Sequence, residues 1–333
     1  MKALITGMTP TQCGRQARGI TVAGDGWRSA LEHAGWEVDH RVIAVNEDLG
    51  EYDAVLVGIG QINSMTARHA SSALYALLDR PDAKLFCDDW QITQAHSGFR
   101  VARWSPMRLY TMDGRPGNTL LYRDHQDAVM KVLKEFAKPR WKRPMLVATH
   151  GDGVPYKLKV PGPVTCADPS NFTPRWAPYP WPRERAWIWA SLYRYEKSKN
   201  RKTPWAGTWP IVHHGRVRDL PNGVDLDNDK EFIPQDELIE KMQRTVGYVV
   251  PERPLMGSGW WRHRYVLASD SGNVVVCHPD EAAIFGDAYL VTPQEVEAHP
   301  EPHALWQAQR DALNAVVWSA DRCAEVVDEF MRS

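Results

Sequence analysis

The sequence predicts an α/β protein made of two doubly wound, parallel-sheet units in series. Three observations carry that expectation. The chain has 333 residues, about twice a typical single-domain length. Short apolar runs alternate with helical periodicities over the first hundred residues, and a second alternation of the same kind starts near residue 187. Apolar residues make up 43% of the chain, ample for two ordinary cores.

The first unit reads in order. Lys2–Thr6 is an apolar run ending in Gly7, too short for a signal peptide and expected as a first strand. Asp25–His33 has Trp27, Ala30 and Leu31 on one helical face and is closed by Gly35. Trp36–Val42 alternates like a strand, and Tyr52–Val57 is a buried strand leaving through Gly58-Ile59-Gly60. Ser64 or Thr66 caps a helix reaching Asp79, with Ala70, Leu74 and Leu77 inward, and Lys84–Cys87 is a fourth strand ending at Asp88-Asp89. This β-α-β-β-α-β order predicts a parallel sheet covered on both faces. Ligands sit at the carboxyl ends of such strands, so Gly7-Met8-Thr9, Gly58–Asn63 and Asp88-Asp89 are expected on one edge.

From about Phe99 to Arg185 the chain is rich in Pro, Arg and Trp; Lys131–Ala137 reads as helix and Pro144–Thr149 as a strand completing the first sheet. Further on, Trp187–Trp189 reads as a strand, Tyr195–Lys202 as a short basic helix and Pro210–His213 as a strand. Gln235–Arg244 is a helix opened by Pro234, Val246–Val250 a strand, Trp261–Ala268 a helix and Asn273–Cys277 a strand. Pro302–Met331 is expected to be mostly helix.

Composition excludes several classes. With 10% aromatics the chain is not disordered, and no run approaches the roughly 20 apolar residues that span a membrane. Five cysteines share no C-x-x-C spacing, which fits a reducing cytoplasm and indicates neither a zinc site nor a disulfide framework. No G-x-G-x-x-G and no Walker motif is present, and His213-His214 lacks partners at ligand spacing.

The formal net charge of −1 hides its distribution. Between Arg100 and Arg218 there are 23 Lys and Arg against 8 Asp and Glu, leaving 17 basic and 33 acidic residues elsewhere. Eight of the 15 tryptophans share that basic stretch, among them Trp141, Trp176, Trp181, Trp205 and Trp209. Interleaved cations and aromatics suit phosphate contacts and base stacking, or alternatively the packing of a domain interface. Asp88-Asp89 offers a carboxylate at a strand end, where a general base would sit or a turn would be capped. Arg194, Lys197, Lys199, Arg201 and Lys202 follow the first strand of the second unit, where they suit a diphosphate or a solvated helix face.

Collinear motifs then resemble a known family, the GT-B glycosyltransferases, and within them the phage DNA β-glucosyltransferases, which move glucose from UDP-glucose onto 5-hydroxymethylcytosine in duplex DNA. Tyr52–Val57 with Ile62-Asn63 matches the family's third strand and loop, and Leu85–Asp89 matches the strand ending in its catalytic aspartate, here Asp89. Trp187–Arg194 matches the donor domain's first strand and loop, with Ala190-Ser191 in place of two glycines and Arg194 in place of a diphosphate-binding arginine. Lys197 or Arg201 stands in for a second arginine; Ile233-Pro234 matches the turn whose helix reads uracil. Trp261–Asp270 matches the donor helix, with Arg262 for a phosphate-binding arginine and Tyr265 where the family has a ribose-binding glutamate. A phenol bonds a hydroxyl singly, whereas a carboxylate accepts two bonds.

The resemblance implies two Rossmann-like domains facing a central cleft: an acceptor domain over 1–180, a donor domain over 181–305, and a C-terminal helix over 306–333 returning to the first. It implies an inverting transfer from a UDP-sugar, UDP-glucose first among them, with Asp89 as general base; a divalent cation is compatible but demanded by no motif. Donor contacts are expected from Ser191, Arg194, Lys197, Arg201, Ile233, Arg262 and Tyr265, and acceptor or DNA contacts from Asn63, Asp88, Trp90, Arg100, Arg143, Arg175 and Trp176. The expected partner is double-stranded DNA with hydroxymethylated bases, the expected state a monomer in the cytoplasm, of the host if the chain is phage-encoded. Two rival readings stay open: a GT-B enzyme acting on a small molecule, glycan or protein, and a non-catalytic nucleic-acid binder on the same scaffold.

Overall fold

The computed structural model describes residues 1–7, 19–44, 46–58, 67–88, 143–148, 163–172, 181, 183–190, 208–214, 224–226, 235–250, 262–277, 279, 282, 285–290 and 292–333. They form two wholly parallel sheets. The first contains β1 (Lys2–Thr6), β2 (Glu37–His40), β3 (Ala54–Gly58), β4 (Lys84–Asp88), β5 (Met145–Ala148) and β6 (Val164–Ala167), in the order β2-β1-β3-β4-β5-β6. The second contains β7 (Glu184–Ala190), β8 (Ile211–His214), β9 (Val224–Leu226), β10 (Thr245–Val250) and β11 (Val274–Cys277), in the order β11-β10-β7-β8-β9.

Burial on both faces explains why the central strands read as unbroken apolar runs. Ala3, Leu4 and Ile5 of β1 are fully buried, and all five residues of β3 and all six of β10 are buried. Gly247 of β10 lies opposite Trp187 of β7, and a Cβ there would meet the indole at 2.1 Å, so glycine makes room for the largest side chain of that core.

Helices α1 (Gly19–His33) and α2 (Ala67–Asp79) belong to the first sheet. The first begins six residues before the expected Asp25. Its early glycines serve packing rather than a turn: a Cβ on Gly26 would sit 2.5 Å from the Pro169 Cβ, and one on Gly24 would sit 3.1 Å from the His40 imidazole. At its end Gly35 adopts φ +86°, while the Gly35 and Trp36 N–H groups return to the carbonyls of Glu32 and Leu31, which closes the helix as expected. The second sheet carries α3 (Gln235–Arg244), α4 (Arg262–Ser271) and α5 (Pro293–Glu297). Strands β6 and β9, helix α5 and a 3₁₀ turn over Ser170–Phe172 were not expected from the sequence. The expected helices Lys131–Ala137 and Tyr195–Lys202 lie outside the described residues.

The C-terminal region corrects the sequence expectation. The run from Pro302 is two helices, α6 (Pro302–Val316) and α7 (Ala320–Arg332), broken at Val317–Ser319. The return to the first unit was expected from 306, yet α6 stays with the second unit. Its Gln309 side chain accepts from Val275 N at 2.7 Å and donates to Val275 O at 2.9 Å, pairing with edge strand β11 as another strand would, and its Trp306 donates to Ser269 O at 2.9 Å. Only α7 crosses. It buries Cys323, Val327 and Phe330 in the first core, where Trp36 donates to Asp328 at 2.6 Å. The buried Lys84 ammonium holds the last carbonyls of α7, donating to Phe330 O and, at 2.9 Å, to Met331 O. An ammonium at a helix C-terminus meets both the free carbonyls and the negative end of the dipole.

Glu297 closes the amino-terminal edge of the second sheet. Burial pushes its carboxyl up, but bonds from Trp187 Nε1, the Thr208 and Trp209 N–H groups and the Thr208 hydroxyl outweigh that and hold it below its ordinary range. Because the folded value is depressed, the stabilisation is complete above the unfolded carboxyl range, about pH 4.3, and is lost as pH falls through the folded value. Glu297→Gln is therefore expected to cost about 1–2 kcal/mol at pH 7. Thermal unfolding followed from pH 7 to pH 3 should show the difference from the wild-type protein shrinking toward zero at the acid end.

Candidate active site

A parallel sheet pairs its backbone polar groups along every strand, so free groups and loops for chemistry collect at the strand ends. The most favourable place is where the strand order reverses. In the first sheet this lies between β1 and β3, and in the second between β7 and β10.

The first reversal is built closely. Gly7, directly after β1, has φ +86°, and a Cβ on it would lie 2.5 Å from the Gly58 carbonyl oxygen at the end of β3. Only glycine lets the two strand ends approach so nearly. Beneath them the Thr6 and Ser72 hydroxyls meet at 2.6 Å, and Ser72 also accepts from Ile43 N at 2.9 Å, tying β1, α2 and the chain after β2 together. At the end of β2 the buried His40 ring lies 3.3 Å from the Asp25 carboxylate of α1. Asp88 is the last residue of β4, in register with Ala148. Gly7, Gly58 and Asp88 thus share the carboxyl edge, as the strand order predicts, and Asp89 is the next residue in the chain.

In the second sheet β7 ends at Ala190, beside β10 at the reversal, and Ser191 follows directly. Arg262 is the first residue of α4, so the amino end of that helix follows the carboxyl end of β10 in the chain. Such an end offers free N–H groups and a positive dipole end to an anion. Asn63, Asp89, Trp90, Arg100, Arg175, Trp176, Ser191, Arg194, Lys197, Arg201 and Ile233 lie outside the described residues, as do the side chains of Asp88 and Arg262.

Two expected site residues are placed elsewhere. Tyr265, expected at a ribose, is fully buried in the second core, its ring 4.9 Å from Phe285 and 5.7 Å from Tyr289. Helix α4 is buried all round from Tyr265 to Ser271, so its sequence carries no polar stripe that would mark a cleft-facing position. Arg143, expected on DNA, instead donates to the carbonyls of Leu77 at 2.9 Å, Arg80 at 3.1 Å and Ala83 at 3.3 Å, at the end of α2 and the approach to β4. Those carbonyls were the missed partners; a helix C-terminus without a basic residue in its own last turn was the available signal.

The basic, Trp-rich stretch is partly scaffold as well. Trp187 and Trp189 are fully buried, Trp209 stacks on Trp187 at 5.5 Å, and Arg183 donates to Ser271 O at 2.6 Å while burial pulls its guanidinium down to about 10. Among the described residues no three His, Cys, Asp or Glu side chains converge as a metal site, and no helix is long and apolar enough to cross a membrane.

No protein-family model matches the chain, and no curated protein matches it in sequence. Solved structures do. T4 phage β-glucosyltransferase in complex with UDP and Mn²⁺ has a TM-score of 0.64 and 14% identity, covering 100% of this chain and 99% of that one. The same enzyme with UDP-glucose gives 0.62 and 14% over the same shares of both chains. A DNA-modifying β-glucosyltransferase studied with and without UDP-glucose gives 0.59 and 12%, again over 100% and 99%. The chain has the GT-B fold: two Rossmann-like units facing a cleft, with the last helix returning to the first.

The burial of Tyr265 makes a direct prediction. Tyr265→Phe should leave nucleotide affinity by titration calorimetry within about twofold of wild type, whereas Tyr265→Ala should cost about 3–5 kcal/mol in unfolding free energy.

Proposed function

We propose that the chain transfers a sugar, with inversion, from a UDP-sugar to the hydroxyl of a 5-hydroxymethylated pyrimidine in duplex DNA. The observation that carries this reading is the whole-chain match in fold to a β-glucosyltransferase crystallised with UDP-glucose and described as DNA-modifying. The strand order supports it, because both reversals lie at carboxyl edges and Asp89, Arg194 and Arg262 all follow strands that end there.

The roles follow from what the reaction needs. The Asp89 carboxylate takes the proton of the acceptor hydroxyl as its oxygen attacks the anomeric carbon from the face opposite the diphosphate. The bond from that carbon to the diphosphate oxygen breaks, and its electron pair leaves with UDP. Arg194, Arg262, one of Lys197 and Arg201, and the amino end of α4 stabilise the departing charge. The pyrimidine is turned out of the duplex at a cost of a few kcal/mol, and the basic residues outside the scaffold hold the backbone. Ser191 and Ile233 complete the donor side; Asn63, Asp88, Trp90, Arg100, Arg175 and Trp176 form the acceptor side.

One observation favours a rival. Arg143, Arg183, Trp187 and Trp189 are used by the scaffold, which lessens the cationic and aromatic surface available to DNA and suits a GT-B enzyme with another acceptor.

Asp89→Ala is expected to lower transfer by about 10³-fold while donor and DNA affinities stay within about threefold; undiminished turnover removes Asp89 as the base. For Arg262→Ala the expected change is about tenfold weaker UDP binding by calorimetry, and an unchanged affinity removes it from the donor site. The DNA reading further requires duplex affinity that falls steeply with added salt. No measurable duplex binding at low salt would favour the rival acceptor.

A further inference from the structure

Three elements meet at one point on the carboxyl edge of the first sheet. A Cβ on Gly7 would lie 2.5 Å from the Gly58 carbonyl oxygen, at the end of β3, and 3.2 Å from the Ala73 Cβ of α2. Directly behind this point Thr6 of β1 faces Ser72 of α2, and their hydroxyl oxygens are 2.6 Å apart. The Ser72 oxygen also accepts from Ile43 N at 2.9 Å. Thr6, Ser72 and Ile43 are all buried. Nearly one turn along α2, the Tyr75 hydroxyl donates to the Glu47 carbonyl at 3.0 Å. Helix α2 is thus tied both to β1 and to the chain between β2 and β3.

Stability does not require hydroxyls at this place. Two buried hydroxyls give up their water for one bond between them, and apolar side chains of the same shape fill such a space at similar cost. What the hydroxyls add is direction. Apolar packing tolerates a small slide of a helix on a strand, whereas a short hydrogen bond fixes both distance and angle. That direction reaches the acceptor side through the sheet. Thr6 is in register with Val57 of β3, and Val57 with Leu85 of β4. Asp89 follows Leu85 by four residues, and Asn63 lies in the chain joining β3 to α2.

We propose that Thr6 and Ser72 are positioning residues for the transfer. Their hydroxyl pair fixes α2 and the ends of β1 and β3, and through them the places from which Asp89 and Asn63 act. Both hydroxyls are buried beneath the edge, so they work through the backbone rather than on a ligand. The inference deepens the sugar transfer proposed above and rests on it.

The test is steady-state transfer from UDP-glucose to a 5-hydroxymethylcytosine duplex by the full chain, with UDP titrated into the same proteins. Ser72→Ala removes the bond to Thr6 and leaves the Ile43 N–H without its acceptor. Its kcat should fall about 10- to 100-fold, while KM for UDP-glucose and Kd for UDP stay within about twofold of wild type. Thr6→Val keeps the shape and the Ile43 bond, so its kcat should fall by less, about three- to tenfold. Thr6→Ser keeps the hydroxyl and should return kcat to within about twofold of wild type. Wild-type kcat in both Ser72→Ala and Thr6→Val overturns the proposal. So does a Thr6→Ser chain as slow as Thr6→Val, or a loss of UDP affinity equal to the loss of kcat, since either marks a purely structural role. A wild-type chain that moves no sugar from any UDP-sugar to a hydroxymethylated duplex overturns the parent reading and this inference together.

Discussion

Two sheets in one chain need something that ties them together, and here that is the pair of helices at the C-terminus. Helix α6 completes the second core and covers the exposed edge of β11 with the amide of Gln309. Helix α7 completes the first core, and its terminal carbonyls are held by the Lys84 ammonium. The first unit is completed only by α7, a segment that lies beyond the whole of the second unit in sequence. The edge of a parallel sheet and the carbonyls of a helix end are both unsatisfied hydrogen-bonding groups, and satisfying them across the chain joins the fold into one object.

Among the described residues, contacts that close helix ends collect on one side of the sheets. Cations on the amino-terminal side of the sheets answer carbonyls: Arg143 the end of α2, Lys84 the end of α7, Arg183 the end of α4. The same side holds the Glu297 carboxylate in a ring of N–H donors. At the reversal in the first sheet Gly7 and Gly58 bring two strand ends together, and Asp89 and Ser191 follow directly in the chain after β4 and β7. Residue type alone therefore does not mark a cation as a ligand contact: Arg143, Lys84 and Arg183 all serve the scaffold.

The sequence was legible wherever a local rule applied. Strands buried on both faces spell contiguous apolar runs, as in β1, β3 and β10, and a left-handed glycine closes α1. The shared edge of Gly7, Gly58 and Asp88 was legible too, because strand order determines it. Illegible features depend on partners far away in the chain. Arg143 reaches carbonyls 60 to 66 residues earlier, and no local pattern distinguishes that role from a phosphate contact. Tyr265 sits on a helix without a polar stripe, so matching it to a ribose-binding position could not reveal that it faces the core. At the break the Trp318 N–H is taken by Asp168, some 150 residues away, and Ser319 caps the next helix, with no proline or glycine in the run to mark it. β6 and β9 are short strands of four and three residues with little apolar signal of their own.

The central claim is a sugar transfer to DNA, and one measurement meets it directly. Duplexes carrying 5-hydroxymethylcytosine or 5-hydroxymethyluracil are incubated with the chain and each of a panel of UDP-sugars, then digested to nucleosides for mass spectrometry. The account predicts that one hydroxymethylated nucleoside gains the mass of a single sugar, from UDP-glucose first of all, with release of UDP. Unmodified nucleosides in every reaction, from a chain that binds UDP, would contradict it.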